Sequence, residues 1–311
     1  MSAPVDVARH AEMLANRVRK NQRKVGKRLL REGIEAYRLY DRDIPEVRAV
    51  VDRYADHLVV AEFEREQTAA IHDYVEMLGR AAGEALGLEA ANVHVRRRRT
   101  GKARGYGRAV SDARVAVNER ELKFWVELEG QLDTGLFGDH RETRHEVGQR
   151  AAGKRVLNLF AYTGSFTCWA AHGGARETLT VDATARYADW AEDNLRLNDL
   201  AGPAHRVLTA DVARFLQADH GLFDLVVVDP PSRSSRYGEG TFDVLRDHPE
   251  LLRVVRTHLA PKGVVYFSSN HQRFMPRLSG LPYANIEEIT ERTVPADYRN
   301  RTVHRAFLLQ S

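Results

Sequence analysis

The sequence predicts a two-part α/β protein. A Rossmann-like, doubly wound sheet covers residues 131–311. It is preceded by a smaller α+β unit over 35–130 and a basic helix within 1–34. Three observations carry this reading. From residue 155 onward, apolar runs of strand length alternate with amphipathic runs of helix length. Before residue 131, short strands cluster around one long helical pattern. The predicted strands of the second part also end in acids, at Asp182, Asp211 and Asp229, where an open α/β sheet forms its ligand crevice.

Taken in order, residues 11–31 space Met13, Leu14, Val18, Val25, Leu29 and Leu30 as an apolar stripe among basic residues, which predicts a helix. "EAYRLYD", "VRAVVD" and "HLVVAEFE" read as three strands, with "RDIP" as the turn between the first two. Residues 67–87 carry a helical pattern, and "NVHVR" and "KFWVEL" are further strands. "DTGLFGDHRETRHEVGQRAAGK" (133–154) reads as a loop leading into a helix. Then "RVLNLF", "TLTVD", "HRVLTAD", "FDLVVVD" and "GVVYFSSN" are strands. The helices "GSFTCWAAHGG", "ARYADWAEDNLRLN", "VARFLQ" and "VLRDHPELLRVVRTHL" lie between them. "NIEEITE" and "RAFLLQ" form a closing hairpin.

Composition narrows the functional classes. The 311 residues are 43% hydrophobic, enough for a sizeable core. A single cysteine, Cys168, rules out an internal disulfide and points to a cytoplasmic setting. No stretch is apolar and long enough to span a bilayer, so no membrane partner is expected. The formal net charge is only +4, but it is unevenly spread. "RVRKNQRKVGKRLLR" (17–31) holds Arg17, Arg19, Lys20, Arg23, Lys24, Lys27 and Arg28 without an acid. "VRRRRTGKARGYGR" (95–108) holds Arg96, Arg97, Arg98 and Arg99. Each block alone reads as a solvated face. Two of them suggest a nucleic-acid surface.

The loop "LNLFAYTGSFT" joins the first strand of the second part to its helix through one glycine, Gly164. The dinucleotide pattern G-x-G-x-x-G is absent, which disfavours a nucleotide-dependent oxidoreductase. Asp182 at the next strand end suits the two hydroxyls of a ribose. Asp211 suits an adenine edge. Each acid alone could instead cap the following helix. Together they favour a nucleoside ligand without a phosphate cradle, and S-adenosylmethionine fits. His140, His248 and His271 show no metal-ligand spacing, so no metal is expected.

"VVVDPPS" follows. A strand ending in Asp-Pro-Pro is similar to the acceptor motif of nucleic-acid methyltransferases. Together with "DTGLFGDHR", "LNLFAYTGSFT", "TVDAT", "DLVVVDPPS", "GTFDVLRDH", the opening "NRVRKNQRKVGKRLLREGIEAYRLYDRDIPE" and the closing "DYRNRTVHRAFLL", the chain resembles the rRNA methyltransferase family that includes RlmK and RlmI. The opening favours the RlmK half of the RlmK/RlmL fusion. The resemblance implies a class I S-adenosylmethionine-dependent methyltransferase fold with an RNA-binding N-terminal part. It implies a free-standing enzyme making N7-methylguanosine in 23S rRNA or a large-subunit precursor, with an RlmL-like activity on a separate protein partner. It places Asn158, Phe160, Ala161, Tyr162, Thr163 and Gly164 along the methionine part of the cofactor. Asp182 falls at the ribose, Asp211 at the adenine, Asp229 at the transferable methyl, and Asp139 and Arg141 at a lid. Gly138 departs from the larger residue usual there.

Asp229, Pro230 and Pro231 are the expected catalytic segment. Guanine N7 carries an in-plane lone pair and no proton, so alignment rather than base catalysis is needed. Exocyclic-amine methylation usually places an aromatic after the prolines, where this chain has Ser232. Tyr162, Ser232, His271 and Phe274 are candidates for the base pocket. Cytosine C5 chemistry needs a nucleophilic cysteine, and Cys168 lies in an apolar helix. A non-catalytic RNA-binding assembly factor is the alternative of another class, disfavoured by the intact strand-end acids.

Overall fold

The computed structural model describes residues 5–98, 114–129 and 133–311. The chain forms two compact units. One comprises residues 1–134 with 296–299, and the other 135–295 with 300–311.

In the N-terminal unit the basic helix is part of the fold rather than a separate arm. α1 (Val7–Asn21) passes through one π turn, Gln22–Gly26, into α2 (Lys27–Arg31). β1 (Ala36–Asp41), β2 (Ala49–Tyr54), β3 (His57–Phe63) and β4 (Val93–Arg98) form a sheet in that order, with β3 and β4 parallel. The expected helix over 67–87 is broken into α3 (Glu66–Ala69) and α4 (Tyr74–Leu86). The apolar stripe Ala11, Leu14 and Val18 shares one core with Tyr37, Leu39, Val60, Leu78 and Ala82. A hairpin of β5 (Arg114–Glu119) and β6 (Leu122–Glu127) completes the described part.

The second unit opens with α5 (Arg141–Arg150). It continues as β7 (Arg155–Leu159), α6 (Ser165–His172), β8 (Glu177–Asp182), α7 (Ala185–Leu197), β9 (His205–Thr209), α8 (Val212–Phe215) and β10 (Phe223–Val228). A short hairpin, β11 (Arg233–Tyr237) with β12 (Gly240–Asp243), precedes α9 (Val244–Thr257) and β13 (Leu259–Ser269). β14 (Asn285–Glu288), α10 (Thr290–Thr293) and β15 (Arg305–Gln310) close the chain. The sheet order is β14-β15-β13-β10-β7-β8-β9, with β15 antiparallel to both neighbours and the rest parallel. Alternate strand residues face opposite layers. Leu157, Leu159, Val226 and Val228 pack with Phe215, Leu251 and Val255 on one face. Val156, Leu225 and Val227 pack with Val147, Phe166 and Ala170 on the other. The strand order reverses between β7 and β10, so the crevice beyond Leu159 and Val228 is the topological switch point.

Candidate active site

The loop leaving β7 is held in an unusual backbone. Phe160 and Tyr162 have φ of 54° and 51°, and Gly164 has φ of 73°. Left-handed non-glycine residues are strained and persist where their surroundings fix them. Here Ala161 N–H donates to Val181 O (3.1 Å), and Tyr162 N–H donates to Asp182 Oδ2 (2.9 Å). Thr163 Oγ1 donates to Gly135 O (2.6 Å), and Asn194 Nδ2 donates to Thr163 O (2.9 Å). Gly164 must be glycine twice over, for its φ and because a Cβ would lie 2.6 Å from Ala191 Cβ.

Three strand-end acids surround this loop. Asp182 also accepts from Thr184 N–H through Oδ1 (2.9 Å). Both of its oxygens therefore bind backbone N–H groups, and the Thr184 side chain is a further hydrogen-bond partner. Burial raises its carboxyl above the ordinary value, against the lowering effect of those N–H groups. Asp211 caps α8 through Arg214 N–H (2.9 Å) and uses the same oxygen to accept from Gly238 N–H (2.9 Å) at the turn of the β11–β12 hairpin. The capping expectation holds for Asp211, whose contact with the hairpin was not legible beforehand. Asp229 follows β10. Its Oδ1 accepts from Ser268 Oγ (2.6 Å), and its side chain keeps 29% of its accessible surface.

A histidine cluster stands beside Asp229. His140 Nε2 lies 3.9 Å from Asp229 Oδ2, and the His140 ring stacks on His304 at 4.2 Å and 11°. His304 Nδ1 donates to Asp139 Oδ2 (3.2 Å), and its Nε2 faces Thr293 Oγ1 (3.1 Å). Burial, reinforced by His304, pushes the His140 imidazole down to about 4, so it is neutral near pH 7. Asp139, His140 and His304 bring three metal-type ligands within 4.8 Å of one another. The two rings are stacked nearly parallel, so no single point lies in both ring planes where imidazole lone pairs are directed. The arrangement suits a hydrogen-bonded network better than a shared cation. Sequence spacing could not reveal it, because Asp139 and His304 are 165 residues apart.

This geometry joins a switch-point crevice, a strained loop and strand-end carboxylates at one edge of the sheet. A family model described as S-adenosylmethionine-dependent methyltransferase matches residues 47–281. The chain belongs to that family. The ribosomal RNA large subunit methyltransferase K/L of Aeromonas salmonicida (strain A449) is 42% identical to this methyltransferase over 309 residues, covering 96% of this chain and 43% of its own. The protein of the same name from Stutzerimonas stutzeri (strain A1501) is 43% identical over 320 residues, covering 99% and 44%. This chain thus spans less than half the length of these relatives. SMU.776 in complex with SAH superposes with a TM-score of 0.79 at 21% identity, covering 100% of this chain and 83% of that one. A SAM-dependent methyltransferase from Agrobacterium tumefaciens gives 0.56 at 19% identity, covering 72% and 71%. Both likenesses show the fold.

Several expected site residues of the methyltransferase have partners within the fold. Asn158 is buried in the sheet and donates to Thr167 Oγ1 (3.0 Å), tying β7 to α6 rather than lining the crevice surface. Arg141 is 1% exposed at the start of α5, with Nε 3.4 Å from Glu142. Phe274, expected in the base pocket, is 3% exposed and packs against His248, Phe267 and Phe307. It is a core residue because it anchors the loop after β13. His271 accepts from Arg273 N–H (3.1 Å) and so orders that loop. Ser232 Oγ donates to Asn270 Oδ1 (3.4 Å), and Tyr162 packs on Tyr187 and Phe137. Cys168 is fully buried, and burial pushes its thiol far above the ordinary value.

The two basic blocks behave differently. Arg19, Lys20, Arg23 and Lys24 are exposed and, with Asn16, line one open depression. Lys27 and Arg28 are also exposed, whereas Arg17 is paired with Asp43 (3.4 Å). In β4 the arginines are tied down. Arg96 donates to Leu128 O (2.9 Å), Arg97 Nε lies 3.0 Å from Glu62, and Arg98 stacks over Phe63. These three are half-buried strand residues with partners in the fold. Arg99 lies outside the described residues.

Proposed function

We propose that this chain methylates N7 of a guanine in 23S rRNA, or in a large-subunit precursor, using S-adenosylmethionine. The names of the K/L relatives support the rRNA part. The single observation that carries the choice of N7 is the acceptor side. Asp229 is fixed by Ser268 on an Asp-Pro-Pro-Ser segment, and the one imidazole at ion-pair distance among the described residues, His140, is depressed to about 4, a poor base near neutrality. N7 needs no base, whereas an exocyclic amine must lose a proton.

The cofactor supplies a sulfonium-activated methyl group. In this reading the loop 160–164 holds its methionine part, Asp182 accepts from its ribose, and the Asp211 region borders its adenine. Asp229 accepts from the N1–H and N2–H₂ edge of guanine and offsets the positive charge that develops on the base. Pro230 and Pro231 fix φ at two successive positions, so the carboxylate is preorganised. The exposed cations of α1 and the π turn meet RNA phosphates. Nucleoside mass spectrometry of 23S rRNA from cells with and without the gene tests this. Loss of one 7-methylguanosine is expected. Loss of a C5-methylcytosine or an N2-methylguanosine would replace the N7 assignment.

A further inference from the structure

The loop after β13 begins at the acceptor carboxylate. Ser268 binds Asp229, and Asn270 binds Ser232. From there "HQRFMPR" (271–277) is held at both ends. Phe274 N–H donates to His271 O (2.9 Å), and the Phe274 ring is sunk in the core. Arg277 N–H donates to His248 Nε2 (2.9 Å). Pro249 cannot donate the helical bond to Leu245 O, and Arg277 Nη2 fills that place at 3.1 Å. Between these anchors Met275 is 74% exposed, the most exposed large apolar side chain among the described residues. A well-anchored loop thus presents an unpacked methionine to solvent. Arg273 and Arg277 flank it, both exposed, and the stretch 270–280 contains no acid.

We infer that Met275 is an apolar wedge that enters the substrate RNA beside the acceptor nucleotide, with Arg273 on an adjoining phosphate and Arg277 bracing the loop through Leu245 O and Arg246 O. The inference rests on the rRNA reading above. A base reached by an enzyme must leave its stack, and exposed Met, Leu or Phe side chains fill such gaps when cations hold the backbone. Charge and position favour RNA over a protein partner. The patch is one apolar side chain beside an exposed cation, Arg273, on the loop that follows the strand whose Ser268 holds Asp229.

The test uses unmodified, protein-free 23S rRNA transcript in two forms, folded with Mg²⁺ and loosened at low salt without Mg²⁺. On folded RNA, Met275→Ala should lower single-turnover methylation about tenfold, while on loosened RNA the loss should fall to about twofold or less. Met275→Leu should remain near wild type on both. Arg273→Ala should weaken RNA binding and reduce the salt slope by about 1. S-adenosylmethionine affinity should not change in any variant. Equal loss of activity on the two RNA forms, no loss on either, or a Met275→Leu variant as impaired as alanine would overturn the wedge. A wild-type protein that methylates neither RNA would instead overturn the rRNA reading.

Discussion

Asp182 and Asp229 sit one strand end apart from the shared loop, yet they carry different loads. Asp182 supports Tyr162 N–H and, in the proposed function, also accepts from a ribose. Asp182→Asn keeps one carbonyl acceptor for the loop and removes the charge. It should weaken S-adenosylmethionine binding about tenfold or more by calorimetry, as expected when a charge-assisted bond of about 1.5–3 kcal/mol is lost. Unchanged affinity would reduce Asp182 to a loop brace. His140 gives a pH signature. Its pKa is pushed down to about 4 in the folded state, against about 6.5 when unfolded. Between those values the unfolded chain binds a proton that the native chain refuses, so stability falls as pH drops from about 6.5 to about 4, by a few kcal/mol at most. Urea midpoints measured across that window should flatten in His140→Gln. An unchanged slope would mean that other groups carry the loss. Cys168→Ser should stay active, since its thiol is buried in α6. A folded, cofactor-binding but dead Cys168→Ser enzyme would favour pyrimidine carbon chemistry.

At the scale of elements, α1 with its π turn divides into two faces. Leu14 and Val18 are buried, and Arg19, Lys20, Arg23 and Lys24 are presented outward. Replacing these four cations and Lys27 by alanine should weaken rRNA binding and flatten its salt dependence, because fewer counterions are released. Filter binding at several salt concentrations would read this, with cofactor affinity as the control. Unaltered RNA binding would make the helix a solvated face. Periodicity revealed this helix and the strands of the large sheet because each buries a regular apolar face. It could not reveal the π turn, which depends on Gln22 folding over Gly26 to accept from Tyr37 Oη (2.9 Å). The β11–β12 hairpin was missed because "RSSRY" and "GTFD" are short, mostly polar and anchored from outside, by Asp211 through Gly238. The surroundings of "VRRR" were not legible because the partners of Arg97 and Arg96, Glu62 and Leu128, are distant in sequence.

For the whole molecule, seven strands ordered around one switch point bring residues 160–164, 182, 211 and 229 to a single edge. That convergence was legible, since strand-end acids after alternating strands and helices define it. The pairing of Asp139 and His140 with His304 was not, because β15 returns to the sheet only at the end of the chain. The central claim is that this edge separates holding the cofactor from aligning a guanine N7. Asp229→Ala tests it most directly, with single-turnover methylation of unmodified 23S rRNA and calorimetric cofactor affinity measured on the same preparation. Transfer should fall on the order of 100-fold or more, as for loss of a preorganised electrostatic group, while cofactor affinity falls less than in Asp182→Asn. The wild-type product should be 7-methylguanosine. Full activity in Asp229→Ala, or a wild-type product methylated on carbon or on an exocyclic amine, would contradict the account.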